Sequence, residues 1–145
     1  KKPIIHFMKQ KQSSTKLSNQ GKHTAIVIFG ATGDLTHRML IPSIYNLFKK
    51  KAISNYSIIG FARREKTNEQ FRKELHESMK EFAKEKFKAE EWKDFSSRIY
   101  YHKSDFGNEE GFKSLKKKLL EVQADNAVYY LATLPIHFEQ ITCML

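Results

Sequence analysis

The sequence predicts an α/β protein, a doubly wound parallel sheet with helices on both faces. Three observations carry the prediction. Apolar runs of strand length alternate with amphipathic helical stretches in the order β-α-β-α-β-α-β-α, and that order calls for parallel pairing through crossover helices. The first run is apolar throughout instead of alternating, as a strand covered on both faces must be. It stops on a glycine and passes through a tight Gly-Ala-Thr-Gly turn into a helix: TAIVIFGATGDLTHRMLIP, residues 24–42.

The elements follow in chain order. Residues 25–29, AIVIF, form the first strand. From Leu35 to about Lys50 the apolar spacing becomes helical, with Pro42 expected to bend or interrupt the helix. Residues 56–62, YSIIGFA, are the second strand. Thr67 and Gln70 have the spacing of a capping box, and Phe71, Leu75, Met79 and Phe82 then line one face of a charged helix. A further helix covers residues 89–95, and Ile99, Tyr100 and Tyr101 make a short third strand. Residues 111–122 are helical, with Phe112, Leu115, Leu119 and Val122 aligned. Residues 127–132, AVYYLA, are the fourth strand, and Pro135 opens a last helix.

Composition bounds the function class. Of 145 residues, 40% are hydrophobic and 29% charged, as in a soluble globular domain with one modest core. No apolar run approaches the roughly 20 residues that cross a bilayer, so no membrane partner is expected. The lone cysteine, Cys143, excludes an internal disulfide framework and fits a reducing, cytoplasmic setting. It has no CxxC partner and no neighbouring His pair, so no metal site is expected. The net charge is +10, but Lys1, Lys2, Lys9, Lys11, Lys16 and Lys22 lie in the first 23 residues, which hold no acid. Residues 1–23 therefore read as a flexible basic arm and residues 24–145 as the folded domain. The chain opens on Lys1 and closes at Leu145 inside an apolar-periodic segment, which leads to the expectation of a piece of a longer chain.

The first turn has the chemistry of an anion site. A helix that begins where a buried strand ends offers free backbone N–H groups and the positive end of its dipole. Gly30 allows the tight turn, and Gly33 allows backbone to approach a pyrophosphate with no Cβ between. The spacing is G-x-x-G, and Thr36 stands where a dinucleotide fingerprint carries its third glycine. A plain structural βα turn has the same short pattern. Asp34 is also a favoured helix-capping residue. The second strand is followed by Arg63, Arg64 and Glu65. An NAD-selective site places an acid there for the ribose 2′-hydroxyl, whereas a planar guanidinium matches a phosphate. The expectation is NADP, with NAD use kept open by Glu65; two ordinary surface arginines are the alternative.

FGATGDLTHRMLIPSIYNLF, IIGFARRE and NAVYYLATLPIHF resemble three segments of the glucose-6-phosphate dehydrogenase family, at family-like separations. The resemblance implies a Rossmann-type coenzyme domain followed by a substrate domain that lies outside residues 24–145. It implies an enzyme that oxidises glucose 6-phosphate to the lactone with NADP, in the oxidative pentose phosphate pathway, and that is a homo-oligomer when full length. Gly30, Ala31, Thr32, Gly33, Asp34 and Leu35 would form the pyrophosphate loop. Arg63 would hold the 2′-phosphate, and Ala132, Thr133 and Pro135 would line the path from adenosine to nicotinamide. The chain departs from the family at Leu134-Pro135, where a Pro-Pro pair is usual, and at Met39, where a lysine is usual.

The family's substrate motif E-K-P-x-G and its catalytic motif H-Y-x-G-K do not occur in these residues. His6, His23, His37, His76, His102 and His137 sit in no matching motif, so no catalytic residue is expected in this chain and no turnover by it alone. Two rival readings fit parts of the same pattern. A short-chain or epimerase-type protein also uses G-A-T-G, but it would carry a third glycine at Thr36 and a Tyr-x-x-x-Lys pair. A non-catalytic nucleotide-sensing module, or a basic anion- or RNA-binding module acting through the lysine arm, is the alternative from another class. The family reading itself expects no nucleic-acid partner.

Overall fold

A computed structural model describes residues 21–83 and 86–145. Most of the basic arm, residues 1–20, lies outside them. Four parallel strands form one sheet in the order β3-β2-β1-β4: β1 (Thr24–Phe29), β2 (Tyr56–Ala62), β3 (Ile99–Lys103) and β4 (Asn126–Leu131). β1 lies at the centre, with Phe29 in register with Phe61 of β2 and Leu131 of β4. The strand order reverses between β1 and β4, and in open α/β sheets ligands bind beyond the strand C-termini at such a point.

The continuous apolar runs have two faces to cover. On one face Ile28 and Ile58 pack with Tyr45 of α1 (Ile41–Lys49), Phe71, Leu75 and Met79 of α2 (Asn68–Phe82), and Trp92 and Phe95 of α3 (Ala89–Ser96). On the other, Val27, Phe29, Ile59 and Phe61 pack with Phe112 and Leu115 of α4 (Glu109–Glu121) and Ile141 of α5 (Phe138–Met144). Phe29 is fully buried, with Phe61 at 4.8 Å and Phe112 at 5.9 Å between ring centroids. Burial of one such side chain stabilises the fold by about 1.5–3 kcal/mol.

Local signals place the helix ends. The Thr67 hydroxyl accepts from Gln70 N–H while the Gln70 side chain accepts from Thr67 N–H, completing the expected capping box. α4 begins two residues before the expected Gly111, because the Asn108 side chain accepts from Gly111 N–H and so caps a turn that starts at Glu109. β3 runs two residues past Tyr101. His102 is buried beneath α4 and its Nε2–H donates to Gly111 O at 2.8 Å, a tertiary bond with no trace in the strand pattern.

The expected interruption at Pro42 takes the form of a change of helical register. The segment Thr36–Leu40 is a π-type turn in which Ile41 N–H donates to Thr36 O, and α1 then carries Pro42 in its first turn. The helical path continues through the proline. Pro135 opens a short 3-10 turn, Pro135–His137, before α5. His23, grouped with the arm by composition, is tied to the sheet. Its N–H donates to Asp125 Oδ2, and its ring bonds Asn55 Oδ1 at 2.6 Å and Ser57 Oγ at 2.7 Å.

Candidate functional site

The candidate site is built where β1 hands over to its helix. Gly30 has φ +88°, and a Cβ there would lie 2.4 Å from Ala132 O. Only glycine lets the two strand ends approach this closely. Ala132 N–H donates to Phe29 O at 2.8 Å, so the end of β4 is held against the turn, and Thr133 Cβ lies within 3.4 Å of the same empty position. Ala132 and Thr133 thus lie against Gly30. Pro135 stands farther along, exposed, at the start of the 3-10 turn.

The backbone of the turn divides its donors between structure and solvent. Gly30 N–H and Ala31 N–H both donate to Phe61 O, at 3.0 and 3.3 Å, and Gly33 N–H donates to Gly30 O at 3.0 Å. Among the described residues, no acceptor takes the N–H groups of Thr32, Asp34 or Leu35. These free donors at a helix start suit a pyrophosphate. Ala31 serves differently from its expected role. It is buried, its amide is committed to Phe61, and its methyl packs over Gly60, where an added Cβ would come within 2.8 Å of it.

Thr36, where the dinucleotide pattern has glycine, is fully buried, and its hydroxyl donates to Gly30 O at 3.1 Å. It locks the first glycine of the turn to the helix. The spacing of the motif gave this residue no role. Asp34 does not cap the helix with its side chain. It lies inside the first helical turn, exposed, with its carboxylate 3.4 Å from Arg38 Nη1. A carboxylate there favours the helix dipole.

Arg63 lies two residues beyond Phe61, the residue whose carbonyl holds the turn, so the arginine and the Gly30–Gly33 turn share one end of the sheet. Its guanidinium is exposed and stands 3.8 Å from Asp105 Oδ1. Lys103 Nζ donates to Glu65 Oε2 at 2.5 Å, and the buried Tyr101 hydroxyl donates to Arg64 O at 2.6 Å. Burial, with Glu74 second, pushes the Tyr101 phenol above its usual range and keeps it a donor. The sequence assigns Tyr101 to the third strand and marks neither Lys103 nor Asp105, because no local pattern places the exit of β3 beside the exit of β2.

His37 and His137 are both engaged by neighbours. Ser78 Oγ–H donates to Glu74 O, so His37 Nδ1–H donates to Ser78 Oγ at 2.6 Å, and His37 Nε2 is buried without a partner. Burial pushes His37 below its usual range; Lys66 adds to this, against Glu74 and Asp34. His137 packs on Phe106, 5.2 Å between centroids. Among the described residues, no group of three His, Cys, Asp or Glu side chains could hold a metal ion, and no helix is long and apolar enough to cross a membrane.

Comparison with known proteins agrees with this fold. A protein-family model described as glucose-6-phosphate dehydrogenase, NAD binding domain, matches residues 27–145. The chain is 42% identical over 122 residues to a glucose-6-phosphate 1-dehydrogenase of Chlamydia pneumoniae, covering 80% of this chain and 24% of that protein. It is 34% identical over 130 residues to that of Bacillus subtilis, covering 86% of this chain and 26% of the relative. Among solved structures, a glucose-6-phosphate dehydrogenase in complex with its substrate glucose 6-phosphate superposes with a TM-score of 0.76 at 30% identity, over 86% of this chain and 27% of that one. A glucose-6-phosphate 1-dehydrogenase from Mycobacterium avium gives a TM-score of 0.75 at 27% identity, over 84% of this chain and 26% of that one. The chain thus spans about a quarter of the length of its relatives. A parallel sheet with its Gly30–Gly33 turn at the switch point, and a family match that takes in all but the first residues of that sheet, lead to one conclusion: the chain belongs to the glucose-6-phosphate dehydrogenase family, through its NAD-binding domain.

Proposed function

We propose that this domain binds NADP across the turn at Gly30–Gly33, as the coenzyme half of an enzyme that oxidises glucose 6-phosphate to its lactone. One observation carries the reading: free helix-start N–H groups and an exposed guanidinium lie at the same end of the sheet, linked through Phe61. The N–H groups of Thr32, Asp34 and Leu35 would hold the pyrophosphate, with no Cβ at Gly33 to stand in its way. Arg63 would pair with the 2′-phosphate, exchanging an exposed contact to Asp105 for a doubly charged partner. Ala132 and Thr133, pressed against Gly30, would form the wall along which the nicotinamide half extends, with Pro135 beyond them.

When bound, the coenzyme accepts a hydride from the sugar C1. This chain's residues bind and orient it. Proton removal from the sugar hydroxyl needs a base within hydrogen-bond reach, and His37 is turned away to Ser78. The 145-residue chain is therefore expected to bind coenzyme without oxidising sugar. Base and substrate groups come from the remainder of a full-length enzyme, which on this reading is a cytoplasmic homo-oligomer.

Calorimetric titration of the chain with NADP and with NAD tests the reading. Saturable NADP binding is expected, weakened about tenfold or more in Arg63→Ala, the scale of a charge-assisted pair, with NAD binding little changed. Absence of saturable binding, or an Arg63→Ala chain with undiminished NADP affinity, would overturn it.

A further inference from the structure

We propose that Lys103, at the exit of β3, is a specificity-determining residue that selects the 2′-phosphorylated coenzyme by neutralising Glu65. The inference rests on the assignment of Arg63 to the 2′-phosphate. Glu65 stands two residues past Arg63. A free carboxylate there would repel a phosphate and accept a hydrogen bond from the 2′-hydroxyl of NAD. It is not free, because Lys103 Nζ donates to it at 2.5 Å. The hydrogen bond and the charge of Glu65 together raise the Lys103 ammonium above its usual range.

The pairing is set by the fold. The parallel register puts Lys103 beside Ala62, one residue before Arg63. Ser104 N–H donates to Ala62 O at 2.9 Å, extending the ladder past the strand end. Tyr101 Oη–H holds Arg64 O at 2.6 Å, and Asp105 stands 3.8 Å from Arg63. The stretch from Ala62 to Glu65 is therefore fastened to the exit of β3 along its length. Beside it Lys103 pairs with Glu65 and Arg63 stands near Asp105. Removal of Lys103 releases the Glu65 carboxylate. A phosphate monoester, with close to two negative charges, is repelled by it. The 2′-hydroxyl of NAD carries no charge and gains an acceptor.

The test is calorimetric titration of NADP and NAD into the 145-residue chain and four variants: Lys103→Met, Glu65→Gln, the double variant, and Arg63→Ala. All the altered side chains are largely exposed, and thermal melts check that each variant is folded. Lys103→Met is expected to lower the NADP-to-NAD affinity ratio about fivefold, the scale of one surface charge contact. The double variant is expected to match Glu65→Gln within about twofold, since Lys103 has nothing left to neutralise. An unchanged ratio in Lys103→Met overturns the inference. So does an equal loss in the Glu65→Gln background, which would make Lys103 a direct phosphate ligand instead. Undiminished NADP affinity in Arg63→Ala removes the underlying assignment, whereas a loss there with no effect of Lys103→Met removes only the role of Lys103.

Discussion

Two residues decide whether the turn after β1 can exist. Gly30 has a positive φ and sits against Ala132 O, so a methyl group there is both strained and in collision. Gly30→Ala is expected to destabilise the fold by about 1–3 kcal/mol, read as a lower denaturation midpoint, and to abolish coenzyme binding. Thr36 acts from the other side of the same turn through its hydroxyl bond to Gly30 O. Thr36→Val keeps the shape and removes the donor, so a loss of about 1 kcal/mol in chemical denaturation is expected. A neutral Thr36→Val would show that the bond holds nothing that packing does not.

At the scale of elements, the segment from Thr36 to Lys49 is the informative one. Its π-type start shifts the hydrogen-bond register so that Pro42 falls in the first turn of α1, and the helix runs on. The same segment is clamped to α2 by His37 on Ser78 and by Arg38 over the Phe82 ring at 5.0 Å. The clamp is pH-sensitive. Protonated His37 would bury an N–H at Nε2 with no acceptor, and burial accordingly lowers its pKa from the usual 6.5. Burial lowers His102 as well, Lys118 adding and the bond to Gly111 O opposing. A histidine lowered on folding binds more protons in the unfolded state than in the folded one between its two pKa values. Stability from this source is full above 6.5 and is lost as the pH falls towards the folded pKa. The denaturation midpoint should thus be higher at about pH 7.5 than at about pH 5.5, with a shallower slope in His37→Asn. A midpoint that falls with rising pH in this window would contradict the tautomer assigned to His37.

For the whole molecule, the sheet is the part that cannot be substituted piecemeal. Two cores, one on each face, are lined by side chains that alternate along the strands of the sheet. The candidate site sits at the C-terminal end of that sheet, made by residues from the exits of all four strands. Coenzyme binding therefore couples to global stability. NADP at a hundredfold excess over its dissociation constant is expected to add about 2.7 kcal/mol to the folding free energy, a shift of several degrees in a thermal melt. Removal of the ligand by desalting should reverse it. In the Arg63→Ala chain the shift at the same NADP concentration should be smaller.

Much of this was legible in residues 24–145 without coordinates. Period and length placed the strands, because a buried parallel strand must be apolar on both faces and a crossover helix apolar on one. Gly30 and Gly33 marked the turn, since a tight strand-to-helix connection leaves no space for Cβ. Thr67 and Gln70 announced their helix by local bonding alone. What stayed hidden depends on neighbours distant in sequence. Thr36 became a lock only because Gly30 O folds back above it. His102 extended β3 because α4 covers it. Lys103 and Asp105 acquired meaning only when the register set the exit of β3 beside Arg63 and Glu65. Sequence by itself determined the class of fold and the glycine turn after the first strand, since both follow from short-range sterics and periodic burial. The tertiary structure decided which charges face that turn, because ion pairs across a sheet are chosen by strand order and register, and no local pattern encodes either.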